Sequence, residues 1–278
     1  MNSIKICVIL TLLLFLPYQA HSQITSKGSS GQLIHVNDMD MNYKVLGTGK
    51  PLLLLHAFGG CGSNWDAFTE ELAEHYRLII PDLRGHGHST NPSGSFTHRE
   101  TAYDVLALLD SLEIGEYSAM GISTGGMTLL HMATQQPARA KKIVLIGATT
   151  HFPEQAREIM HMFSPDLVSE DILNHFRPCA GRGDEQVRQL TDQFYGFRDS
   201  YNDMNFTPPH LATISASTLI IHGDRDDFFP VDIPVEMYHS IPDAALWIVP
   251  DGGHVPIFGS DMPFMKVALR FLEGVNNH

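Results

Sequence analysis

The chain has 278 residues, 43% of them hydrophobic and 18% charged, and its 18 Lys+Arg against 31 Asp+Glu give a formal net charge of −13. Those proportions exclude a disordered, collagen-like or coiled-coil chain, and the acidic balance argues against a nucleic-acid partner and against docking on anionic lipid. The length allows one large domain or two small ones, and three cysteines are too few for a disulfide-built scaffold.

At the N-terminus, Lys5 precedes an apolar run from Ile6 to Leu16 that only Thr11 interrupts. Pro17 then breaks the helix, and Ala20-His21-Ser22 sets small residues at the two positions a signal peptidase reads. This layout predicts a secretory signal peptide over 1–22, cleaved after Ser22, and a secreted or periplasmic mature protein over 23–278 with no stable membrane insertion. The run is short for a membrane span, which takes about 20 apolar residues. The alternative is an uncleaved N-terminal anchor. Cys7 lies inside the run, with no small-residue cleavage box before it, so it does not read as a lipid-attachment site. Cys61 and Cys179 remain, and their spacing alone leaves open whether they pair.

Gln32 to Leu46 partly alternates about a polar turn at Asn37-Asp38 and reads as a hairpin of two strands. The turn Gly47-Thr48-Gly49-Lys50-Pro51 leads into the unbroken run Leu52-Leu53-Leu54-Leu55, the pattern of a strand buried on both faces. Helices follow at Trp65 to His75, Arg99 to Leu112 and Gly126 to Gln136, interleaved with strands at Arg77 to Ile80, Tyr117 to Met120 and Lys142 to Ile146. Further strands at Thr218 to Ile221 and Ala245 to Val249 precede a closing helix, Pro263 to Leu272. The alternation predicts an α/β fold with a mostly parallel, eight-stranded sheet and helices on both faces.

Between Thr150 and Ser217 no strand pattern occurs. Amphipathic stretches such as Glu154 to Phe163 and Glu185 to Phe194 predict a helical cap insertion at about 151–217. It carries the patches Met160-His161-Met162-Phe163 and Phe194-Tyr195-Gly196-Phe197. Such patches are usually core, but over a sheet edge they would wall an apolar pocket.

Gly121-Ile122-Ser123-Thr124-Gly125 is a G-x-S-x-G pentapeptide between a strand and a helix. A serine on that sharp turn is thrust out at the carboxyl edge of the sheet, and the glycines let neighbouring chain approach. A serine nucleophile needs a base, and the base an orienting carboxylate. Downstream, Ile221-His222-Gly223-Asp224-Arg225-Asp226 sets acids after one strand, and Asp251-Gly252-Gly253-His254 a histidine after the next. Ser123, Asp226 and His254 stand in the order Ser…Asp…His expected for a strand–elbow–helix nucleophile.

On these motifs the chain resembles the α/β-hydrolase superfamily, in its capped, single-domain lipase/esterase-like branch, across essentially all of the mature chain outside the insertion. Leu54-Leu55-His56-Ala57-Phe58-Gly59-Gly60 resembles the family's H-G-x loop, with Ala57 where glycine is usual. The resemblance assigns the two oxyanion-hole donors to the backbone N–H groups of Phe58 and Thr124. Pro81-Asp82-Leu83-Arg84-Gly85-His86-Gly87-His88-Ser89 resembles the D-x-R-G-x-G-x-S turn, a structural element. Gly223 to Pro230 resembles G-x-x-D-x-x-x-P, which selects Asp226 over Asp224 and Asp227. Dehalogenases and epoxide hydrolases of this fold carry an Asp where this chain has Ser123.

The resemblance therefore implies acyl transfer to water from a small-molecule ester, with no cofactor. Alternatives are a C–C bond hydrolase or cofactor-free perhydrolase with the same triad, or a non-enzymatic binding protein on the same scaffold. His86-Gly87-His88 lacks further ligands at metal spacing and reads as structural, as does His56.

Overall fold

A computed structural model describes residues 31–167, 169–259 and 262–274, so the predicted signal segment, and its alternative as an anchor, lie outside the described residues. The strands are β1 (Gln32–Val36), β2 (Met39–Leu46), β3 (Lys50–Leu55), β4 (Tyr76–Pro81), β5 (Tyr117–Ile122), β6 (Ala140–Ile146), β7 (Ser217–Gly223) and β8 (Ala244–Val249). The helices are α1 (Asp66–His75), α2 (His98–Ser111), α3 (Thr124–Gln135), α4 (Glu154–His161), α5 (Glu170–Phe176), α6 (Asp184–Gly196), α7 (Pro208–Leu211), α8 (Asp232–Ser240) and α9 (Phe264–Glu273).

The strands form a single eight-stranded sheet in the order β1-β2-β4-β3-β5-β6-β7-β8. β2 pairs antiparallel with β1 and β4, and the remaining pairs are parallel. Side chains alternate between faces along each strand. Leu53, Leu55, Ala119, Leu145 and Ile220 enter one core, beneath α2, α3 and α8. Leu52, Leu54, Met120, Ile146 and Ile221 enter the other, beneath α1 and α9. All four leucines of the β3 run are fully buried, as expected of a strand covered on both faces.

Two differences from the sequence expectation have local causes. α3 starts at Thr124 rather than near Gly126, because Ser123 itself turns the chain and its carbonyl already accepts from Met127 at 2.9 Å. α8 was not expected. It carries Pro234 in its first turn, where the missing N–H has no intrahelical partner to lose.

Between β6 and β7 the chain leaves the sheet to form α4 to α7 and returns, with only an isolated bridge, His151 to Asn205, among its described residues. This segment is fastened at several points. The Arg157 guanidinium donates to the carbonyls of Phe152, Arg198 and Ser200. The buried Asp203 carboxylate accepts from the His98 ring at 2.7 Å and from the backbone N–H groups of His98 and Arg99, capping α2 from outside. A disulfide joins Cys61, in the loop after β3, to Cys179, in the turn after α5, with Cα atoms 5.4 Å apart.

Candidate active site

Three parallel strands, β5, β7 and β8, deliver the predicted residues from their carboxyl ends. Ser123 follows β5 with φ 49° and ψ −112°, a conformation that side chains ordinarily avoid. The flanking glycines make that turn possible. A Cβ on Gly121 would lie 2.5 Å from the Gly125 carbonyl carbon, and one on Gly125 would lie 2.3 Å from the Leu55 oxygen. The Ser123 N–H is secured to the Ile146 carbonyl at 2.7 Å, so the elbow is anchored to β6.

The Ser123 Oγ lies 2.9 Å from His254 Nε2, and His254 Nδ1 lies 2.9 Å from an Asp226 carboxylate oxygen. The other Asp226 oxygen accepts the backbone N–H groups of Phe228 (2.8 Å) and Phe229 (3.1 Å). Burial pushes the Asp226 carboxyl upward, but the adjacent His254 ring, its hydrogen bond, the His222 ring and the Phe228 amide outweigh it and hold the group below the usual carboxylate range. An ionised Asp226 has no proton to give, so Nδ1 is the donor and Nε2 faces the serine as an acceptor. Among the described residues no hydrogen bond or ion pair joins Asp224 or Asp227 to His254; Asp224 lies 4.0 Å from the Arg225 guanidinium instead.

Phe58 and Thr124 line the same pocket as Ser123 and His254. As the first residue of α3, Thr124 has an N–H with no intrahelical acceptor. His56 supports the loop that carries Phe58. Its Nε2 accepts from the Leu83 N–H at 2.9 Å, so Nδ1 donates to the Ala57 carbonyl at 2.7 Å. Asp82 ties the same region together, accepting from the N–H groups of Gly62 and His88. A Cβ on Gly87 would collide with that carboxylate at 2.2 Å.

The pocket wall is mostly aromatic. From the patches noted in sequence come Met160, Phe163, Phe194 and Phe197, whereas His161 and Tyr195 stack on each other instead. Sequence reasoning missed Phe228 and Phe229, whose rings pack against His254 with centroids 4.8 and 5.2 Å away. Their position between Asp226 and Pro230 was the available signal. Also missed were His175, which lines the pocket from α5, and His222. The buried His222 donates from Nε2 to the Phe229 carbonyl at 2.9 Å and lies 3.5 Å from Asp226. Among the described residues no cluster suits a metal ion, and no helix is long and apolar enough to cross a membrane.

A family model described as the alpha/beta hydrolase fold matches residues 50–209. The chain is 23% identical over 275 residues to 2-hydroxy-6-oxo-6-(2'-aminophenyl)hexa-2,4-dienoic acid hydrolase of Metapseudomonas resinovorans, covering 90% of this chain and 94% of that one. It is 27% identical over 260 residues to pimeloyl-[acyl-carrier protein] methyl ester esterase of Nitrosomonas europaea, covering 81% and 97%. Among solved structures, a bacterial membrane phospholipase A superposes with a TM-score of 0.77 at 22% identity, over 100% of this chain and 98% of that one. The chain belongs to the α/β-hydrolase fold family and is an enzyme of that fold.

Proposed function

We propose that the protein is an exported serine hydrolase that cleaves a carboxylic ester through an acyl-enzyme on Ser123. The observation that carries this reading is the unbroken relay from Ser123 Oγ through the His254 ring to a buried Asp226 carboxylate. As Oγ attacks the ester carbonyl, its proton passes to His254 Nε2, and Asp226 stabilises the imidazolium that forms. The carbonyl oxygen becomes an oxyanion facing the N–H groups of Phe58 and Thr124, at the positive end of α3. Collapse of the tetrahedral species returns the proton from His254 to the leaving alcohol. Water, deprotonated by the same nitrogen, then attacks the acyl-enzyme and frees Ser123.

The pocket favours an uncharged ester over a carboxylate-bearing substrate. Among the described residues its lining contains no Arg or Lys. A substrate carboxylate held against Phe152, Phe163 and Phe194 would lose hydration without gaining a counter-ion. The second reading, C–C bond hydrolysis of a dienoate, draws on the names of relatives such as the aminophenyl-hexadienoate hydrolase. Purified mature protein assayed on p-nitrophenyl esters of increasing chain length, and on a ring-cleavage dienoate, separates the two. Ester turnover is expected; turnover of the dienoate alone would overturn the ester assignment.

Export rests on the residue 1–22 pattern and gains support from the Cys61–Cys179 bond, which suits an oxidising compartment. N-terminal sequencing of the exported protein should begin at Gln23. A full-length chain retained in membranes would favour the anchor.

A further inference from the structure

Among the described residues the walls of the pocket are apolar except for Ser123, Thr124 and His254 at its floor and one group from the insertion, His175. α5 buries Ile172, Leu173 and Phe176, and position 175, one turn after Ile172, belongs to that same face. An aliphatic residue would complete the stripe at no polar cost. Instead the stripe carries a partly buried imidazole that, among the described residues, hydrogen-bonds to nothing; its ring contact is Phe176, with centroids 5.3 Å apart. Burial lowers the pKa of His175. Near neutral pH the ring is therefore uncharged, with one donor and one acceptor nitrogen.

His175 is also held firmly relative to the oxyanion loop. The Phe176 ring occupies the space a Cβ on Gly59 would need, with its Cε1 1.7 Å from that point. Cys179, one turn beyond His175, is bonded to Cys61 in the segment that carries Phe58. The imidazole is thus presented to the pocket by a helix clamped at two points to the loop beside Ser123. Preorganisation of this kind lets a single polar group discriminate between ligands, because little ordering remains to be done on binding.

On the serine-esterase reading, we propose that His175 is a specificity-determining residue that hydrogen-bonds an uncharged hydroxyl group of the substrate. A hydroxyl both donates and accepts, matching the two nitrogens of a neutral ring, whereas a carboxylate would find no compensating charge. The hydroxyl can lie on the acyl chain or on the leaving alcohol, and one set of experiments separates the two.

The test compares kcat/KM for matched ester pairs with and without a hydroxyl, one series stepping it along the acyl chain and one along the alcohol. The selectivity ratio within one preparation does not depend on how much of the enzyme is folded. Wild type should prefer the hydroxylated member about tenfold at one position of one series, the scale of a single neutral hydrogen bond. His175→Leu should abolish that preference, His175→Gln should keep part of it, and Asp171→Asn, on the exposed face of the same helix, should leave it intact. A ratio unchanged by His175→Leu in both series, or no hydroxyl preference in wild type, would overturn the proposal. Absence of any ester turnover by wild type would instead overturn the reading on which it rests.

Discussion

Replacing Cys61 and Cys179 with serine tests how the cap is held over the site. The two residues are 118 apart in sequence, and their bond closes a loop that contains β4, β5, β6 and much of the cap. For a loop of that length the chain-entropy account gives about 5 kcal/mol of stabilisation at 25 °C, through restriction of the unfolded chain. At about 2–4 °C per kcal/mol for a domain of this size, the melting temperature should fall by roughly 10–20 °C. Urea titration of wild type with and without reductant, and of C61S/C179S, measures the difference directly. Reduced wild type should match the double variant, and reductant should leave that variant unchanged. Because the same bond positions α5, KM should rise more than kcat falls. Equal urea midpoints for oxidised and reduced wild type would refute the reasoning, as would two alkylatable thiols at these positions in the native protein.

Other outcomes follow from the same geometry. Ser123→Ala should fold as wild type does and lose at least about a thousandfold in kcat, measured on the best ester. Gly147→Ala forces a Cβ to within 2.3 Å of the His254 carbonyl oxygen at φ +57°, so it should slow turnover by displacing the base and cost about 1–2 kcal/mol of stability in a urea melt. Leu54→Ala, at a fully buried position in β3, should cost about 2–5 kcal/mol in the same assay. Burial lowers the pKa of His86 to about 3 and that of His131 to about 4. Between those values and the unfolded pKa of about 6.5 the unfolded chain binds protons that the folded chain refuses. Stability should therefore be complete above that pH and decline on acidification, by up to about 1.4 kcal/mol per pH unit for each histidine. Urea midpoints against pH should show this, with a shallower slope in His131→Gln; a flat profile would contradict it.

Much of the fold was legible because its signals are local. The run Leu52 to Leu55, hydrophobic on both faces, marks a central strand, and alternating elements imply crossovers in a parallel sheet. The residues brought together at the site were legible because each sits at a fixed offset from a strand end: Ser123 after β5, Asp226 after β7 and His254 after β8. What stayed hidden depends on the path of the chain between elements. A separation of 118 residues says nothing of distance in space, so the Cys61–Cys179 pairing had to wait for the fold. His175 sits among Asn174, Phe176 and Arg177 in a short helix whose inward face shows only once the cap is docked. His222 reads as part of a strand ending and reveals its contact with the Phe229 carbonyl only when the loop folds back beneath Asp226. Pro234 does not announce α8, because a proline in a first turn looks the same in sequence as one that breaks a helix.

The most direct measurement of the central claim is reaction of the folded protein with a fluorophosphonate, followed by peptide mass mapping. The account predicts one adduct per chain, on Ser123, forming rapidly in wild type and at least about a hundredfold more slowly in His254→Ala, the lower end of what a positioned general base contributes. An enzyme that turns over esters yet carries no adduct on Ser123, or carries it on another residue, would contradict the account.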